Sequence, residues 1–460
     1  MQDQPDASAR QRRLTDRPQG HILANRGCWS ADGRWLHFDS RADETRFDSP
    51  SIDRVAVDSG SIETVHRPAD GARCGVPICS PTDQRVVFIR QDTPATDDWP
   101  YCAWHRHGAI ATPGKPAAVE SLDARDLVAP FTPGALRGGT HLHTFHPNGK
   151  LLVSTYEDHV LATALAGTAE AGTAEAGTAE AGTAEAGTAE ANRRGLAVHL
   201  LSHPVTVPKG HPRNRDGIAF TCFVTELTDR PKAGSDQIAM ATGESWVGET
   251  SQIACQGTVT ATDGQPCVEL YLVTIPATWL DPQGLRALPT PRVPDRPLEG
   301  TPTTRPGTPA GVAQQRLTHT TDRPFPGIFG PRHWCVASPD GTRIGFYMRD
   351  DKGAVQFWTV SPRGGDPVQV THGPWEPRSA FTWHPDGSAV TYIADGSVVW
   401  VDVDSGRYRR LTEKAPPEDS PTRHACVFSP DGGAIAFMRP TGFGRAGRFD
   451  QIHLVSGWTD

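Results

Sequence analysis

The stretch Ala380-Phe381-Thr382-Trp383-His384-Pro385-Asp386-Gly387-Ser388-Ala389-Val390-Thr391-Tyr392-Ile393 holds the pattern that organises the chain. An apolar run ends in Trp-His-Pro-Asp-Gly and a second apolar run follows at once. Pro fixes its own φ, and Asp-Gly accepts the positive φ of a tight reversal, so the segment reads as two strands joined by a turn. Further strands follow at Val398–Val403 and Tyr408–Thr412, separated by Asp395-Gly396 and Asp404-Ser405-Gly406. This makes a unit of four strands.

The same turn recurs along the chain. It stands as Ser30-Ala31-Asp32-Gly33, as a degenerate Ser80-Pro81-Thr82-Asp83, and as His146-Pro147-Asn148-Gly149. It returns as Ser338-Pro339-Asp340-Gly341 and Ser429-Pro430-Asp431-Gly432. The last three copies are 46 and 45 residues apart, from 341 to 387 to 432. A period of roughly 40–50 residues with several strands per unit is the signature of a β-propeller. Six units are marked by turns, and the long gap from 149 to 341 must hold another. We expect a fourth blade there, running from Ile218–Glu226 through Ser251–Thr260 and Cys267–Thr274 to Gln315–Thr318. The expectation is an all-β, seven-bladed β-propeller of four-stranded antiparallel blades. The segment Gln11-Arg12-Arg13-Leu14-Thr15 resembles a fourth strand, whereas the C-terminus stops at a third. The N-terminal strand should therefore complete the last blade and hide the open sheet edges.

Two insertions interrupt the pattern. Residues 166–191 contain five copies of Ala-Gly-Thr-Ala-Glu, with no periodic apolar face, and read as a low-complexity disordered loop. Residues 282–311 are Pro-rich and read as a surface linker. Residues 1–10 are expected to be disordered, leaving 11–460 as one domain.

Composition narrows the function classes. The 45 basic and 53 acidic side chains give a net charge of -8, which argues against a general nucleic-acid binder. No apolar run reaches the roughly 18 residues needed to span a bilayer. The N-terminus has no apolar core of a secretion signal. The nine cysteines are odd in number and show no C-x-x-C spacing. We expect reduced thiols, a cytoplasmic location and a monomer. No G-x-S-x-G elbow, phosphate-binding Gly loop or dinucleotide fingerprint is present.

Counting back five residues from the turn Ser or His gives Asn25, Gly75, His141, His333, Ser379 and His424. Equivalent positions of a ring converge on its axis, so His141, His333 and His424 could face one point. His143, two residues beyond His141, should share its strand face. Neutral imidazoles with an open position suit one divalent metal, Mn, Zn, Fe or Ni. One residue earlier stand Arg332, Arg378 and Arg423, which could hold a carboxylate or phosphate. Trp334 is placed to stack on a sugar or close the channel mouth. The same polar residues could equally be hydrated channel lining without a ligand. His146 and His384, inside the turns, are read as turn hydrogen-bonding groups.

The Ser-Pro-Asp-Gly units resemble TolB-like propeller repeats. Leu136-Arg137-Gly138-Gly139-Thr140-His141-Leu142-His143, Asp158-His159-Val160, Pro331-Arg332-His333-Trp334 and Met348-Arg349-Asp350-Asp351 carry a closer resemblance, to the YidR-like propellers of bacteria, over roughly 14–460. That family has no established activity. More distantly the repeats resemble oligogalacturonate lyase propellers, which hold a divalent metal with histidines. The resemblance implies a binding or scaffold protein that recognises a protein or saccharide at the channel mouth. The alternative it implies is a metal-dependent carbohydrate lyase or hydrolase.

Overall fold

A computed structural model describes residues 6–42, 46–69, 71–115, 119–166, 189–332, 334–424 and 426–458. Its strands form seven separate four-stranded antiparallel sheets. Six are built from four strands consecutive in sequence, as in Thr382–Trp383, Ala389–Ala394, Ser397–Asp402 and Tyr408–Arg410. The seventh takes its inner three strands from Val427–Phe428, Ala434–Gly442 and Arg448–Ser456, and its outer strand from Arg10–Arg13. Arg10 pairs with Ser456 and Arg13 with His453. The ring is closed by its own N-terminus, as the sequence predicts.

The turn signature works as expected. Ser338 Oγ and Thr342 N both donate to Asp340 Oδ1, and Gly341 takes φ +68°. In blade six His384 replaces the serine and stands 2.6 Å from Asp386 through Nδ1. In blade three Asn148 N donates to His146 Nδ1 at 3.1 Å. Both turn histidines thus serve the turn.

Blade four differs from expectation. Gly217–Phe223 is the outer strand of blade three, paired with Gly195–Val205. Blade four begins instead at Ala241–Trp246 and continues through Gln252–Thr260, Pro266–Thr274 and Ala313–Arg316. Its first turn is Val247-Gly248-Glu249-Thr250, with Gly248 at φ +55° and no Pro-Asp-Gly. Trp246 accordingly lies at the end of an inner strand in the core, at 5% exposure.

The insertions are tied down at their bases. The repeat insert lies mostly outside the described residues. At its start Asp158 accepts from Leu161 N at 3.0 Å and so caps the short helix His159–Ala166. The same carboxylate pairs with Arg137, which is fully buried. Arg137 also donates to the carbonyls of Thr301 and Thr304, in the Pro-rich segment. That segment therefore packs on the ring, with Leu298 in the core, and is not a free linker. At the N-terminus, residues 1–5 lie outside the described residues, whereas Asp6 N donates to Arg410 O at 2.9 Å.

The four largest core clusters gather side chains from neighbouring blades, so apolar burial runs around the ring between the sheets. All nine cysteines are free. Among the described residues no helix is long and apolar enough to cross a membrane.

Candidate functional site

The innermost strands begin at one end of the central channel, and there the structure forms an open pocket. Blade one contributes Asn25 and Arg26, and Arg41 comes from the loop after its second strand. Blades two and three contribute Val76 and Leu142. Blade five contributes Arg332 and Trp334, and blade seven His424. Three of the sequence-predicted residues, Arg332, Trp334 and His424, thus come together. Arg378 and Arg423 are exposed and do not line the pocket, although Arg423 acts electrostatically on His424. His333 lies outside the described residues.

Arg41 is the best-defined cation. Its Nε and Nη2 donate to Asp39 Oδ1 and Oδ2 at 2.7 and 3.0 Å. Asp39 is fully buried and also accepts from Val76 N at 2.8 Å. A charge-assisted, two-point pair of this kind fixes direction as well as position. Burial disfavours the Arg41 charge, and Asp39 outweighs it, so its pKa rises. Burial and the neighbouring Arg41 lower the pKa of Arg332. His424 is driven well below the ordinary imidazole range by burial, then by Arg332, Arg41 and Arg423. The pocket is a positive field with a neutral imidazole in it.

Beneath the pocket lies a buried acid. Arg26 donates to the Glu244 carbonyl, and a Cβ on Gly243 would stand 3.2 Å from Trp334 Cδ1. Glu244 is fully buried, and its Oε2 accepts from Thr155 Oγ1 at 3.0 Å. Burial pushes its carboxyl up to about 7, against the pull of Arg26.

His141 and His143 do not share a strand face. Register along the inner strand of blade three shifts between His141 and Thr144, and Leu142 takes φ +58°. This is a β-bulge, and the extra residue reverses the alternation beyond it. His141 stays on the face of its cross-strand partner Thr155, toward blade four and Glu244. His143 moves to the opposite face, where its Nε2 meets Thr140 Oγ1 at 2.9 Å. Thr140 in turn donates to Asp123 of blade two at 3.0 Å. Burial holds His143 at about 3 and lowers His141 well below its usual range.

His141, His143 and His424, the described members of the predicted set, are not grouped as one metal centre. Among the described residues no three His, Cys, Asp or Glu side chains are grouped to hold an ion. His143 faces away from the pocket, and three guanidiniums act on His424.

Arg41, Arg26, Asp39 and Glu244 were not singled out in the sequence. Arg41 and Asp39 flank Ser40 where the second strand of blade one ends, a position outside the repeat signature. Glu244 follows a blade-four glycine that no turn motif marks. Asn25 is found by the five-residue count.

Comparison with known proteins agrees with this architecture. Residues 73–215 match a family described as a protein of unknown function, DUF3748. The uncharacterized protein YidR of Escherichia coli (strain K12) is 38% identical over 428 residues, covering 93% of this chain and 94% of that protein. Among solved structures, an oligogalacturonate lyase in complex with manganese covers 98% of this chain and 95% of its own, at TM-score 0.51 and 12% identity. The oligogalacturonate lyase of Vibrio parahaemolyticus gives TM-score 0.52 at 9% identity over the same shares. At these identities the structural likeness is one of fold.

Proposed function

The chain belongs to the YidR family of β-propellers, and on that footing we propose that it is a binding protein which seats an anionic group of its ligand at the channel mouth. The observation that carries this is the convergence of Arg41, Arg332 and His424 from three blades on one pocket with Asn25 and Trp334. Guanidinium groups bind carboxylate and phosphate at two points, and burial strengthens such contacts. A neutral His424 adds a donor or acceptor without a competing charge. The ligand is a molecule that carries such a group, free or as part of a protein or saccharide. Nine free thiols suit a reducing compartment, which supports a cytoplasmic site of action.

Isothermal titration against a panel of carboxylates, phosphate and neutral sugars tests the proposal. Binding of anions but not of neutral sugars is expected, weakened about tenfold or more by Arg332→Ala, since charge-assisted contacts contribute on the order of 1.5–3 kcal/mol. Equal binding of neutral and anionic ligands would refute it.

A metal-dependent lyase or hydrolase acting on a uronate is the second reading. Its support is the manganese-bound fold relative. It requires His333, with His141 or His424, to hold the ion. Elemental analysis of wild type and His333→Ala separates the two: stoichiometric metal lost in the variant favours the lyase.

A further inference from the structure

Two residues that line the pocket hold backbone conformations that their side chains resist. Val76 and Leu142 both have φ +58°. Left-handed φ is uncommon for any residue but glycine and is a true outlier for a β-branched one. The two occupy one structural position, four residues before the turn residues Ser80 and His146. Each sits in a register shift of its inner strand, at Gly75/Ile78 and at His141/Thr144. Blade four has the same shift, between Thr242 and Ser245, and there the residue is Gly243 at φ +67°. The fold thus accepts glycine at this position without strain. In blades two and three it carries aliphatic side chains instead, and both are half-buried and line the pocket. Strain that persists in the lining of a pocket points to what the strained groups do there.

The same bulge also aims a cation. Val76 N holds Asp39, and Asp39 holds Arg41. The bulge therefore places an apolar wall and a guanidinium side by side. The guanidinium of Arg41 is offset by Asp39, and Arg26 lies next to Glu244. With Arg41 already faced by the Asp39 carboxylate, the pocket is better matched to a single carboxylate than to a phosphate dianion.

We propose that the pocket selects a small carboxylic acid whose carboxylate adjoins an apolar body, with the carboxylate at Arg41 and Arg332 and the body against Val76 and Leu142. The inference rests on the anion-binding reading above and narrows it. An acid lined with hydroxyl groups, such as a sugar acid, would leave them facing aliphatic side chains and unpaired.

The test is titration of the full chain with formate, hexanoate, phenylacetate, galacturonate and inorganic phosphate. Intrinsic tryptophan fluorescence and calorimetry are the readouts. Each buried methylene favours binding about fourfold, so hexanoate should exceed formate by about tenfold or more. The variants Val76→Gly and Leu142→Gly keep the bulge conformation and remove the wall. The hexanoate-to-formate preference should fall at least several-fold in each, with circular dichroism and melting confirming the fold. Galacturonate or phosphate binding as tightly as hexanoate, with the preference unmoved in the glycine variants, would overturn this inference and leave the anion-binding reading intact. No anion binding at all, with Arg332→Ala indistinguishable from wild type, would overturn both.

Discussion

Trp29 donates its indole N–H to the backbone carbonyl of Val427 at 3.0 Å, across the seam where the ring closes. The contact repeats. Trp246 reaches Thr144 O at 3.1 Å, and Trp383 reaches Val336 O at 2.9 Å. In each case the donor stands just before the turn residue of one blade. The acceptor stands two residues before the turn residue of the preceding blade. Three of the seams are thus stapled by an aromatic that buries its rings and pairs its one polar atom.

Trp29→Phe should cost about 1 kcal/mol, the net worth of one hydrogen bond whose acceptor is left buried. Trp29→Ala should cost about 3–5 kcal/mol through the added cavity. Urea unfolding checks both. Because Trp29 lies at the seam closed by Arg10–Arg13, removing residues 1–15 should lower stability at least as much as the alanine change.

Blade two replaces the tryptophan in a compensated way. Its residue before the turn is Cys79, whose Sγ points to Cys28 O at 3.6 Å, the equivalent acceptor. Beside Trp29, blade seven has the small Ala436 in the same core cluster. The matching position of blade one is His37, and its Nδ1 lies 3.1 Å from Cys79 Sγ. Large faces small at one seam, and medium faces medium at the next. Cys79→Trp alone should therefore overpack the seam and cost about 1–3 kcal/mol. Cys79→Trp with His37→Ala should recover most of that loss. A coupling energy near zero in the double-mutant cycle would show that the two positions are independent.

The ring was legible because its information is local. Pro-Asp-Gly or a near variant of it marks the turn in six blades, and alternation supplies the strands. Blade four was misread by one strand because Val247-Gly248-Glu249-Thr250 makes the turn with glycine and Thr250 Oγ1, which leaves no motif. Of the pocket, Arg332, Trp334 and His424 were legible because they hold ring-equivalent positions. Arg41, Arg26 and Glu244 were not, because their roles arise from contacts between blades. The face of His143 was also hidden. It depends on the φ of Leu142, and no residue type there announces a left-handed conformation.

That bulge sets His143 apart from the pocket that His424 lines. His143 sits between blades two and three against Thr140, with Gly108 beneath it, where a Cβ would come within 2.6 Å of its Nε2. His143→Ala should cost about 1–3 kcal/mol by opening a cavity and stranding a buried hydroxyl. It should leave anion affinity at the channel mouth within about twofold. His424→Ala, which changes the pocket itself, should weaken binding with a smaller effect on melting temperature. Calorimetry and melting on the two variants give the comparison.

Glu244 should leave a signature in the pH dependence of stability. It faces Thr155 and Arg194 of blade three, Arg26 of blade one, Cys335 of blade five and Cys255 of its own blade. Folded, its carboxyl holds the proton up to about 7, whereas the ordinary value is 4.5. Between these values the folded state binds more protons than the unfolded one, so stability from this group falls as pH rises. The loss is complete above about 7 and amounts to roughly 3 kcal/mol at most. Buried neutral histidines act in the opposite sense. His37, His107 and His143 are held near 3 by burial, so their contribution is present above 6.5 and lost on acidification. The whole protein should therefore weaken in acid, and only a comparison isolates Glu244. Glu244→Gln removes the titration while keeping the shape and an acceptor for Thr155. Relative to wild type, the variant should gain about 2–3 kcal/mol on going from pH 5 to pH 8 in urea unfolding. A difference that does not change with pH would mean that Glu244 is ionised throughout, with Arg26 and Arg194 outweighing its burial.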